Sequence, residues 1–66
     1  MKIDKLRLFA GMAEQGYNYK TLAEKAKVSR PTLSYINSGK NCTPETAGKI
    51  AHALGVNVLE LIEKEG

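Results

Sequence analysis

The sequence predicts an all-α domain of five short helices around a single core. Apolar residues recur at steps of three and four rather than two, which is the period of helices that bury one face. Capping residues and stop glycines punctuate the chain, and no stretch carries a strand signal. At 66 residues the chain is one domain near the lower size limit for folding without a disulfide or metal, so every element must share that core.

In the first segment Ile3, Leu6, Phe9, Ala10 and Ala13 lie at helical spacing, predicting helix one over about residues 3–15 with these side chains inward. Gly16 follows as a left-handed C-terminal cap and Tyr17 tucks against the core. Asn18 is placed to cap helix two, Tyr19 to Ala26, with Leu22, Ala23 and Ala26 inward. Lys27, Val28 and Ser29 form a turn, and Ser29 caps helix three, which carries Pro31 in its first turn and ends near Asn37 or Ser38 before Gly39. Lys40, Asn41 and Cys42 make a loop. Thr43, Pro44 and Glu45 then combine a cap, a first-turn proline and an early carboxylate to start helix four, which runs to Leu54 and buries Ala47, Ile50, Ala51 and Leu54 before Gly55. Asn57 caps a fifth helix over Val58–Glu65. There Leu59 and Ile62 are expected to face the core, leaving Val58 and Leu61 as a candidate homodimer seam.

Composition and charge narrow the function. The lone cysteine, Cys42, forms no internal disulfide framework and points to a reducing compartment, so a cytoplasmic location is expected. No apolar run approaches the roughly 20 residues that span a bilayer, and the charges of the first sixteen residues do not suit a signal peptide. The net charge of +3 is unevenly spread. Residues 18–49 hold six basic side chains against two acidic, a balance of +4, whereas residues 50–66 hold one against three, a balance of −2. A basic middle suits a polyanion, although solvated helical surfaces also show such imbalance. His52 reads as a surface residue and Cys42 as a plain loop thiol, since neither has the partners of a metal site. Glu60, Glu63 and Glu65 read as a solvated face. No nucleophile, acid–base pair or phosphate-cradling glycine loop is present, so the chain is expected to be no enzyme and to need no cofactor.

The informative stretch is Tyr19 to Asn37, two short helices joined by a tight turn. At about 100° per residue, helix three sets Leu33 and Ile36 on one side and Pro31, Ser34, Tyr35 and Ser38 on the other, with Arg30 projecting from its N-terminal end. A helix of this kind fits the major groove, where arginine pairs with guanine, hydroxyls meet several acceptors and apolar atoms touch the thymine methyl. The free N–H groups at the start of helix two, with Asn18, Tyr19 and Lys20, form a phosphate site on one flank. Lys40 and Asn41 follow on the other.

With Leu22 to Ser29 (LAEKAKVS), Leu33, Ile36, the Gly39-Lys40 pair and Ile50 to Val56 (IAHALGV), the chain resembles the helix-turn-helix of the phage repressor and Cro type, the xenobiotic response element family, over about residues 3–62. The resemblance implies a compact lambda-repressor-like DNA-binding domain with the helix-turn-helix at helices two and three. It implies base contacts from Arg30, Pro31, Thr32, Ser34 and Tyr35 and phosphate contacts from Tyr19, Lys40 and Asn41. Four positions depart from the family pattern: Tyr19 replaces the glutamine that opens helix two, Lys27 replaces the turn glycine, and Met12 with Asn37 replaces an arginine–glutamate pair. Met12 is expected to pack near Asn37, and Lys27 to sit in a left-handed conformation if the turn is unchanged. The function expected is a DNA-binding transcriptional regulator, a repressor that binds a palindromic duplex operator as a homodimer without a small-molecule ligand. The alternative is the same fold used as a protein-interaction adaptor or antitoxin-like partner.

Overall fold

The computed structural model describes residues 1–63 and contains, among them, four α-helices: α1 (Lys5–Gln15), α2 (Tyr19–Ala26), α3 (Arg30–Asn37) and α4 (Pro44–Leu54). A single 3-10 turn, Val58–Glu60, follows in place of the expected fifth helix. The chain leaves helical geometry there because Ile62 bridges to Ile3, Asp4 donates its N–H to Leu61 O at 2.9 Å and Glu63 donates to Lys2 O at 2.8 Å. Residues 64–66, the rest of that expected helix, lie outside the described residues.

Each helix starts where a side chain can accept the first turn's unpaired N–H groups. Asp4 Oδ1 takes the N–H groups of Leu6 and Arg7, which moves the start of α1 past Ile3. Asn18 Oδ1 accepts from Thr21 N at 2.8 Å, Ser29 Oγ from Thr32 N at 3.2 Å and Thr43 Oγ1 from Thr46 N at 3.2 Å. Gly16 ends α1 at φ 72°, a conformation open to glycine without a side-chain clash. Lys27 ends α2 at φ 59°, the left-handed position that its place in the turn requires.

The core is built from Ile3, Leu8, Met12, Leu22, Ala23, Ala26, Leu33, Ile36, Ala47, Ile50, Ala51, Leu54 and Leu61. The α4 helix lies at its centre, packed on α1, α2 and the 3-10 turn. The buried face of α1 is the stripe of Leu8, Gly11 and Met12, while Leu6, Phe9, Ala10 and Ala13 face out, which corrects the expected inward set. At Gly11 an added Cβ would stand 3.1 Å from Leu54 Cδ1, so the missing side chain is what lets α1 approach α4 on this face. Gln15 Nε2 bonds Leu54 O at 3.0 Å where the same two helices end.

The C-terminal segment is also reversed. Leu61 is 1% exposed and belongs to the core, whereas Leu59 is 70% exposed. A 3-10 turn advances about 120° per residue, so the α-helical assignment of inward and outward residues does not carry over to it. Leu61 is therefore not a free seam residue in the protomer. Val58 and Ile62 are half-buried beside the core.

Candidate nucleic-acid interface

The site is assembled by α2, the Lys27-Val28-Ser29 turn and α3. Val28 donates its N–H to Ala23 O at 3.1 Å and packs against the core, and Leu33 donates to Ser29 O at 3.2 Å, so the turn is bonded to both helices. Ala23, 7% exposed, is the small residue where they meet. Leu33 and Ile36, each 1% exposed, are the buried residues of α3. The opposite side of α3 is free: Arg30, Pro31, Ser34 and Tyr35 are exposed, Tyr35 to 57%.

Thr32 is different from the other expected base-reading residues. It is half-buried, its hydroxyl lies 2.7 Å from Ser29 Oγ, and its N–H binds the same oxygen. Its side chain is engaged in the helix cap.

On one flank, Asn18 Oδ1 holds both the N–H and the hydroxyl of Thr21. The N–H groups of Tyr19 and Lys20 have no protein acceptor among the described residues and lie at the positive end of α2. The Lys20 side chain is exposed. The Tyr19 side chain turns inward instead: its ring meets Phe9 edge-on at 6.4 Å and its hydroxyl is shielded from solvent without a hydrogen-bond partner. Burial pushes the phenol above its usual value of 10.0, because the phenolate would lose its hydration. On the other flank, Lys40 and Asn41 are exposed in the loop after α3, and Cys42 beside them is half-buried.

Between α2 and α3 lies a groove of about 340 Å³ lined by Tyr19, Arg30, Pro31, Leu33, Ser34 and Asn37. It brings the first residue of α2 beside the exposed side of α3. Asn37 was not among the sequence-derived contact residues, although Arg30, Ser34 and Asn37 at steps of four and three share one helical face. Its carboxamide oxygen is shielded and unpartnered. Met12, its expected neighbour, is buried at 7% exposure. Among the described residues no cluster of three or more metal-ligating side chains occurs, and no helix is long and apolar enough to cross a membrane.

A helix-turn-helix family model matches residues 8–61. The fold is similar to that of solved structures of a hydroxyethylphosphonate dioxygenase mutant (TM-score 0.85, 24% identity), of PhpD with cadmium and hydroethylphosphonate (0.84, 24%) and of native PhpD with cadmium atoms (0.84, 24%). In each case the likeness covers 100% of this chain but only 14% of the other, so this chain spans about one seventh of their length and the likeness concerns the fold alone. No curated protein sequence matches the chain.

Proposed function

The chain belongs to the helix-turn-helix family of the phage-repressor, xenobiotic-response-element type, and from that membership we propose that it is a cytoplasmic, non-enzymatic transcriptional regulator that binds duplex DNA in a sequence-specific manner. We further propose a repressor that occupies a palindromic operator as a homodimer with α3 in the major groove. The observation that carries the reading is the division of α3: Leu33 and Ile36 anchor it, and Arg30, Pro31, Ser34 and Tyr35 stand free along the other side. Thr32 contributes by fixing the start of the helix. The N–H groups of Tyr19 and Lys20, the Asn18 amide, Lys40 and Asn41 bracket α3 as phosphate contacts.

Selection from random duplexes, followed by titration of the selected operator and a scrambled duplex against salt, tests this proposal. Arg30→Ala is expected to cost about 1–3 kcal/mol on the operator and to relax preference at one base pair. Lys40→Ala is expected to weaken both duplexes alike and to lower the salt slope by about 1. The reverse pattern overturns the assignment of roles, and the absence of salt-sensitive duplex binding overturns the DNA reading. The adaptor reading is favoured by one observation, the outward apolar residues Leu6 and Phe9 on α1, and it is the outcome selected if no duplex binds at low salt.

A further inference from the structure

The loop that carries Lys40 and Asn41 is held in an unusual way. Gly39, at φ 90°, turns the chain out of α3, and α4 begins only at Pro44. Among the described residues, the loop is bonded to the N-terminal segment through Cys42 alone: Cys42 donates its N–H to Met1 O at 2.7 Å, and the Met1 nitrogen donates to Cys42 O at 3.2 Å. The two residues exchange both bonds, as a hydrogen-bonded pair of antiparallel strands does. The other side of this N-terminal segment is fixed to the C-terminal segment by Glu63 N to Lys2 O at 2.8 Å and Asp4 N to Leu61 O at 2.9 Å. Ile3 between them is 2% exposed. Residues 1–4 are therefore a strap, anchored in the core at Ile3 and bonded to the loop at Met1.

We propose that this strap belongs to the DNA-binding apparatus: the Met1 backbone is a positioning group that holds Lys40 and Asn41 ready for a phosphate. This inference rests on the DNA reading proposed above. Asn41 is bonded covalently to the residue that Met1 grips, so the pair fixes where the loop's exposed side chains leave the surface. Without it, holding the loop in place costs more ordering than one phosphate contact returns, and Lys40 leaves the phosphate. The Met1 side chain takes no part, and the effect is independent of base sequence because phosphates are what Lys40 and Asn41 meet.

The test replaces one backbone N–H with an oxygen atom and so removes one hydrogen-bond donor. At 66 residues the chain is within reach of chemical synthesis, and an ester in place of the Asn41–Cys42 amide, built with lactic acid at position 42, deletes the N–H. Cys42→Ala with the normal amide is its control. The ester is expected to bind operator and scrambled duplex about tenfold more weakly than the control, as one phosphate contact is lost. Its slope of log K against log salt is expected to fall by about 1 as Lys40 disengages. A contact that only supports the fold would lower the melting temperature without moving that slope. Equal affinity, or an unchanged slope, in the folded ester overturns the inference while leaving the DNA reading intact. An unmodified chain that binds no duplex overturns both. If the ester does not fold, a chain lacking Met1 and Lys2 but keeping Ile3 in the core carries the same comparison, with the same expected and overturning results.

Discussion

Tyr19 joins two roles in one side chain. Its ring closes the groove beside Arg30 and meets Phe9, while its hydroxyl is shielded and unpartnered. A buried hydroxyl without a partner loses hydration for no return, so Tyr19→Phe is expected to hold stability or raise it by up to about 1 kcal/mol in urea denaturation. Duplex affinity should stay within about twofold, because the phosphate contact proposed here comes from the backbone N–H. The sign at high pH follows from the raised phenol. Above the ordinary value of 10.0 the unfolded chain loses a proton that the folded chain keeps, so stability falls as pH rises from there through the folded value. The phenylalanine variant lacks that contribution, and identical pH slopes for the two proteins above pH 10 would refute the assignment. The exposed residues of α3 were legible from helical spacing, since a short helix with two apolar residues has one side left over. The place of Asn37 in the groove and the bonding of Met1 were not, because each depends on residues from elsewhere in the chain: Tyr19 on the groove's other wall, and Cys42 41 residues away.

Apart from the Asp4 cap of α1 and the C-terminal 3-10 turn, the helices were legible at their ends, and they were ambiguous on their faces. Asn18, Ser29, Thr43, Gly16 and Gly55 act locally, and each caps where the sequence predicts. In α1, by contrast, the stripes Leu6-Phe9-Ala10-Ala13 and Leu8-Gly11-Met12 both satisfy the helical period, and only packing against α4 selects the second. The sequence signal for that choice was a glycine in mid-helix. At the end of α2, Lys27 occupies φ 59°, ψ 41°, where an L side chain costs about 1–2 kcal/mol. Lys27→Gly is expected to gain roughly 1 kcal/mol after the added chain entropy, or about 4–8 °C in Tm for a domain of this size. A lower Tm would show that the turn holds no such strain. The 3-10 turn gives a paired prediction. Leu61→Ala, from a core position 1% exposed, should cost about 2–5 kcal/mol, whereas Leu59→Ala, at 70% exposure, should cost under about 0.5 kcal/mol. Equal losses in thermal melts would contradict the reversal of inside and outside found there.

At the scale of the whole molecule the question is how so small a protein would hold the operator proposed for it. Half-sites one helical turn apart are separated by about 34 Å, and the protomer's longest dimension is 32 Å. Two copies on adjacent half-sites would stand close enough to touch with that dimension along the duplex. With Leu61 inside, the apolar groups that the described C-terminal segment could offer to a second copy are the half-buried Val58 and Ile62 and the exposed Leu59. If Lys20 and Lys40 each neutralise one phosphate, a single protomer should give a slope of log K against log salt of about −1.8 on B-DNA, and a dimer on a palindrome about twice that. Leu59→Glu separates the two cases, since its side chain is outside the core and the fold should survive. The unmodified chain is expected to sediment as a dimer at high micromolar concentration and to show the steeper slope. Leu59→Glu should sediment as a monomer and show about half the slope on the same palindrome, with its melting temperature little changed. A variant that remains dimeric and keeps the full slope would exclude this segment as the seam, and an unmodified chain that is monomeric and binds with the shallow slope would exclude the dimer itself.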